Sequence, residues 1–124
     1  MELAILLGFI GHFIGDYLLQ NDYLAIQKTK KTLPALIHVL LYGLPFYFLV
    51  GFSFALLFIV VTHFFIDRFS LATYWIKLIN WKWESKNYGF SEDMPKWMSE
   101  WLRIIHDNTF HVILNTLAIW YHYS

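Results

Sequence analysis

Apolar residues along this chain gather into four long runs, roughly Leu3 to Leu19, Leu33 to Val50, Phe52 to Ile76 and Trp101 to Tyr121. Each run is close to the ~20 residues a helix needs to cross the hydrocarbon of a bilayer. A segment in lipid has to satisfy its own backbone hydrogen bonds, so all four runs are predicted helical. Only VGFS, around Gly51 and Ser53, separates the second run from the third, which predicts a tight antiparallel hairpin. The pattern predicts an all-α fold, an integral membrane bundle of four transmembrane helices in a single domain, residues 1–124.

The polar stretches between the runs carry the orientation. The first, QNDYLAIQKTKKTLP, sets Lys28, Lys30 and Lys31 against one acid, Asp22, and Pro34 suits the first turn of the helix that follows. The last contains Lys77, Lys82, Lys86 and Lys96. By the positive-inside rule, loops 20–34 and 77–100 both face the cytoplasm, and both termini lie on the opposite side of the inner (cytoplasmic) membrane. Trp81, Trp83, Trp97 and Trp101 are interleaved with charges in the last loop, as in a segment lying at headgroup level before the fourth helix. Within it, MPKWMSEWL reads as a short interfacial helix with Pro95 at its start.

Composition agrees with the pattern. Hydrophobic residues make up 58% of the chain, aromatic residues 21% and charged residues 15%, against about 25% charged in ordinary globular chains. A soluble four-helix bundle would need more polar sequence to coat it. Net charge is zero and the basic residues form no stripe, which argues against nucleic acid as a partner. There is no cysteine, so a metal here would be held by nitrogen and oxygen. The N-terminal run lacks a basic leader and a small-residue cleavage site and reads as part of the mature fold.

Against this apolar background one polar spacing recurs. HFIGD places His12 four residues before Asp16, HFFID places His63 before Asp67, and DNTFH places Asp107 before His111. Residues four apart share a helix face, so each pair offers an imidazole nitrogen beside a carboxylate oxygen. The second run adds His38. At ~1.5 Å of rise per residue all seven fall in the cytoplasmic half of the bundle, at similar height. An aspartate at the centre of a membrane helix costs about 2.5–3.5 kcal/mol. No lysine is expected at matching depth, and Arg68, beside Asp67, can neutralise one acid only. A divalent ion would neutralise the rest, with zinc first and manganese or iron as alternatives. Seven donors exceed what one tetrahedral ion takes, which leaves room for a two-metal site. His106 is rotated away from this face and His122 belongs to the far end of the bundle. Gly11 and Gly15, in GHFIG, allow a neighbouring helix to approach closely beside the pair.

The blocks HFIGDYLLQND, LIHVLLY, THFFID and HDNTFH resemble the signature blocks of the domain of unknown function 3307 family, small membrane proteins of bacteria and their phages. The resemblance covers nearly the whole chain and keeps the block order. It implies that Gln20 and Asp22 also belong to the site. More remotely, the intramembrane HxxxD pairs are similar to those of membrane-bound metal-dependent hydrolases, which implies hydrolysis of a phosphoester or a lipid.

The expected function is therefore that of a small membrane protein with a metal site, acting as a metal-dependent hydrolase on a lipid or phosphoester reached from the cytoplasmic leaflet. His12, Asp16, His38, His63, Asp67, Asp107 and His111 are the expected ligands, with Asp16, Asp67 and His38 also the expected acid–base groups. Two other classes use the same residues: an ion- or proton-conducting transport protein, which would need to form a homo-oligomer, and a non-catalytic phage or bacterial interaction module whose polar cluster only fixes the fold.

Overall fold

In a computed structural model describing residues 1–124, the chain forms six α-helices and no sheet. The helices are α1 (Glu2–Phe13), α2 (Asp22–Gln27), α3 (Thr32–Val50), α4 (Phe54–Arg68), α5 (Leu71–Asn80) and α6 (Lys96–Tyr123), and a π-helical turn, Ile14–Leu18, extends α1. Local sequence explains most boundaries. Asn21 caps α2 by accepting from the Leu24 amide, and Ser53 caps α4 by accepting from Leu56. Gly51 ends α3 at φ 61°, a conformation that costs a side-chain-bearing residue dearly and glycine nothing. The turn at VGFS is as tight as its sequence predicts, and α3 packs along α4.

The four longest elements form the bundle: α1 lies against α3 and α6, and α4 lies between α3 and α6. The meeting of the first and last helices follows from the need of their His/Asp faces to reach the α3–α4 hairpin. One end of the interior is apolar, built from Ala4, Phe46, Val50, Ala55, Ile59, Ala118 and Ile119 around the lower edge of Tyr42. Above it the interior turns polar: His12, Asp16, His38, His63, Asp67, His111 and Asn115 are all buried.

The run from Phe52 to Ile76 is not one helix. It breaks at Phe69–Ser70, with Ser70 at φ 50°, and α5 leaves α4 at 64°. By length and hydropathy α3 alone is able to cross a membrane, or two spans if α4 and α5 together count as one. The first run is divided between α1 and its π turn, and α6, though 28 residues long, begins with Lys96, Glu100 and Arg103. The segment MPKWMSEWL is not a separate interfacial helix: from Lys96 onward it is the start of α6. The loop before it is knitted by Asn87, whose amide donates to the carbonyls of Ser91 and Met94 and whose Oδ1 accepts from Ser99 at 2.6 Å.

Candidate metal centre

Three elements deliver four donors to a single point. α3 brings His38, α4 brings His63 and Asp67 on one face, and the π turn brings Asp16. The wider turn of a π-helix shifts side chains out of α-helical register, a device found often at functional sites. Gly15 makes the approach possible. A Cβ there would lie 2.5 Å from the Tyr42 ring and 3.1 Å from the Tyr42 Cα, so any larger residue would push the π turn off α3.

The donor atoms are Asp16 Oδ1, His38 Nε2, His63 Nε2 and Asp67 Oδ2. Asp16 stands 3.1 Å from His38 and 3.3 Å from His63. Asp67 stands 3.2 Å from His38 and 3.1 Å from His63, and the two imidazole nitrogens are 3.0 Å apart. Donors bonded at about 2.0–2.1 Å to a tetrahedral ion are separated by roughly 3.3–3.4 Å. Five edges of the tetrahedron thus match the span a small divalent ion requires, to within a few tenths of an ångström. The two imidazoles can direct at most two N–H groups at the four inward-facing atoms, so the group calls for a cation in addition. The outward Nδ1 atoms of His38 and His63 are buried without a partner.

A second group adjoins the first. Asp16, Asp107 and His111 offer atoms that all lie within 4.8 Å of one another. His111 Nε2 is 3.3 Å from Asp107 Oδ2 and 3.0 Å from Asp67 Oδ1. Asp16 belongs to both groups, and the two oxygens of Asp67 face different histidines. Asp107 is the open edge of the cluster, its side chain 22% exposed.

His12 lies beside these groups. Its Nδ1 is 2.8 Å from the Tyr42 hydroxyl, and its Nε2 is 2.7 Å from Asn108 Oδ1 and 3.8 Å from Asp16. Asn115 donates to the Tyr42 hydroxyl, and Asn108 donates to the Tyr17 hydroxyl, both at 2.7 Å. The consistent assignment is a neutral His12 that donates from Nε2 to Asn108 and accepts at Nδ1 from Tyr42. Tyr42 also stacks on His63 at 3.6 Å between ring centres, and His63 stacks on His111 at 3.9 Å. Tyr42 and His12 therefore hold the ligand-bearing rings in place from the side.

Sequence reasoning missed Tyr42, Asn108, Asn115 and, above all, Lys28. The expectation that no lysine reaches this depth is corrected: Lys28 Nζ is 2.7 Å from Asp67 Oδ2, 3.5 Å from Asp16 Oδ1 and 3.3 Å from His38 Nε2. Arg68, expected to neutralise Asp67, turns away and donates to the Thr29 carbonyl at 3.2 Å. Burial pulls the Lys28 ammonium down, but the Asp67 and Asp16 carboxylates outweigh it and hold its pKa above the usual lysine value. A signal for two of the missed residues was present, since His38 and Tyr42, and His111 and Asn115, repeat the four-residue spacing. Lys28 gave none, because a six-residue helix folds it back from the loop. Of the remaining residues, Gln20 buries its Oε1 without a partner, Asp22 is exposed in the first turn of α2, and His106 Nδ1 bonds to the Leu102 carbonyl.

The fold and the site define an all-helical protein with a buried His/Asp cluster able to hold a metal ion. The chain belongs to the family described as protein of unknown function (DUF3307), whose model matches residues 3–119. No curated protein and no solved structure matches it.

Proposed function

We propose that the protein is a small integral membrane metalloprotein, a metal-dependent hydrolase whose substrate is a phosphoester or a lipid. The observation that carries the metal is the near-tetrahedral convergence of Asp16, His38, His63 and Asp67 at separations of 3.0–3.3 Å. Two imidazoles and two carboxylates suit zinc, with manganese or iron as the alternatives. Asp107 and His111 add a place for a second ion that shares Asp16. Bound there, a divalent ion would lower the pKa of water and polarise a phosphoryl or carbonyl oxygen. With a single ion bound, Asp107, at the open edge, would be free to take a proton from water entering the cluster, while Asp16, Asp67 and His38 hold the buried side.

The bilayer reading rests on the outward faces of the bundle. Leu3, Leu6 and Phe9 on α1, Leu40 and Phe48 on α3, Leu57 and Phe65 on α4, and Ile113, Leu117 and Trp120 on α6 are all exposed. That much apolar surface is costly in water and ordinary in lipid. The loops around Lys28 and Lys82 would then face the cytoplasm. An open groove of about 450 Å³ lies along α5 where it meets α6 and the end of α4, lined only by apolar side chains that include Ile66, Trp75 and Phe110. It lies next to Asp67 and His111 in sequence and suits an acyl chain. Hydrolysis is preferred over ion conduction because the buried polar side chains stop at Asn115, beyond which Phe46, Val50, Ile59 and Ile119 fill the interior.

Elemental mass spectrometry of the detergent-purified protein tests the metal. About one or two equivalents of zinc, manganese or iron are expected, and the double variant His63→Ala, Asp67→Asn should lose them. A wild-type protein that retains none after equilibration with each ion in turn overturns the metal reading. A loaded protein that cleaves neither aryl phosphoesters nor phospholipids overturns the hydrolase reading and leaves a non-catalytic interaction module.

A further inference from the structure

We propose that Lys28 is an exchangeable, tethered cation of the cluster: its ammonium closes the four-donor group in the ion-free protein and is displaced when a divalent ion enters, taking α2 with it. The inference rests on the metal reading above and adds a device to it.

The geometry leaves little room for both cations. The ammonium lies 2.7, 3.3 and 3.5 Å from Asp67, His38 and Asp16, three of the four converging donors. It therefore sits over the face of the tetrahedron that those three atoms form. An ion bonded at about 2.0–2.1 Å to the same donors would lie within roughly 3 Å of Nζ. Two positive charges at that separation repel strongly in a buried site. Charge decides the direction of exchange. Asp16 and Asp67 together carry two negative charges, of which one ammonium neutralises half and one divalent ion the whole.

The tether is built to move. α2 has six residues and buries one side chain, Leu24, so shifting it exposes little apolar surface. The chain just beyond Lys28 is anchored, because Arg68 donates to the Thr29 carbonyl and lies 3.5 Å from the Thr32 hydroxyl, so α2 would pivot about this point. A displaced Lys28 is therefore released toward solvent while its neighbour Thr29 stays fixed. Other cations nearby do not share this role: Lys30 and Lys31 are exposed, whereas the Lys28 side chain is only 13% exposed.

Two measurements test the exchange. In the wild-type protein, lysine acylation followed by peptide mass spectrometry, with and without zinc, should show Lys28 protected in the ion-free form. Labelling of Lys28 should rise about tenfold on zinc addition while Lys30 and Lys31 stay constant. In Lys28→Met, zinc affinity measured by competition with a chromophoric chelator should increase at least tenfold, since no ammonium competes. Lys28→Gln serves the same purpose if the methionine variant does not fold. Wild-type protein that binds zinc with no change in Lys28 labelling, or variants that bind zinc no more tightly, overturn the exchange and leave the metal site standing. Failure of every form to bind zinc, manganese or iron overturns both. Binding by the Lys28 variants alone also overturns the exchange, because the ammonium is then a fixed cation that no divalent ion displaces.

Discussion

Asp67 is the carboxylate with the closest contacts to the cluster, touching Lys28, His38 and His63 through Oδ2 and His111 through Oδ1, all within 3.2 Å. Asp16 touches Lys28, His38 and His63 through one oxygen and approaches His12 only at 3.8 Å through the other. Removing one partner from a buried charged network leaves the others uncompensated, at a cost of about 3–5 kcal/mol. Asp67→Ala is therefore expected to lower both metal content and melting temperature more than Asp16→Ala, with both variants compared in one detergent, with and without chelator. An equal or reversed order in folded proteins would move the centre of the cluster away from α4. The sequence pointed to Asp67 as a ligand but misjudged its counter-ion. Arg68 is adjacent in the chain and points elsewhere, whereas Lys28 lies thirty-nine positions away and reaches it through the fold.

At the level of elements, the hairpin and the π turn do different work. The VGFS turn holds α3 against α4 and so sets His38 opposite His63. The π turn sets Asp16, and its approach depends on Gly15, where a Cβ would meet both the ring and the backbone of Tyr42. Gly15→Ala should lower stability by about 1–3 kcal/mol through overpacking and should reduce metal retention, because Asp16 moves with the turn. Gly51→Ala is the informative control. Gly51 has φ 61° and ψ −164°, a region essentially reserved to glycine, but nothing within 4 Å of a Cβ, so the cost is backbone strain of about 1–3 kcal/mol with metal retention unchanged. Comparable metal loss in both variants would show that general destabilisation, and not the placement of Asp16, governs the site. The hairpin was legible in the sequence because glycine and serine mark so short a turn. The break between α4 and α5 was not, since FSLATYW carries neither proline nor glycine and Ser70 adopts its left-handed conformation only in the packed chain.

For the molecule as a whole, ion binding and folding are linked, because the converging donors do not exist in the unfolded chain. Saturating zinc should raise thermal stability, by about 4 kcal/mol at a thousandfold excess over the dissociation constant, and a chelator should remove that gain. Lowering the pH through the neutral imidazole range should release the ion, since His38, His63 and His111 ligate only when their donor nitrogens are free of protons. Metal content measured after dialysis from mildly alkaline to mildly acidic buffer checks this. Occupancy that stays flat across that range would assign the ion to carboxylates alone.

Hydrophobic runs and the four-residue His/Asp spacing determined, before any folding, that the chain is helical and that three helices carry ligand-type pairs on single faces. Both features are local: a helix repeats every 3.6 residues, so a spacing of four is already a statement about one face. Where those faces meet was decided by tertiary packing. The fold joined Asp16, His38, His63 and Asp67 into one group, set Asp107 and His111 beside it, and placed His12 behind it in the hands of Tyr42 and Asn108. It also brought Lys28 into the cluster from a loop whose lysines looked like surface charge. A distance of 2.7 Å between Lys28 and Asp67 depends on the fold of α2 and the packing of α3 and α4 at once, and no spacing along the chain encodes it.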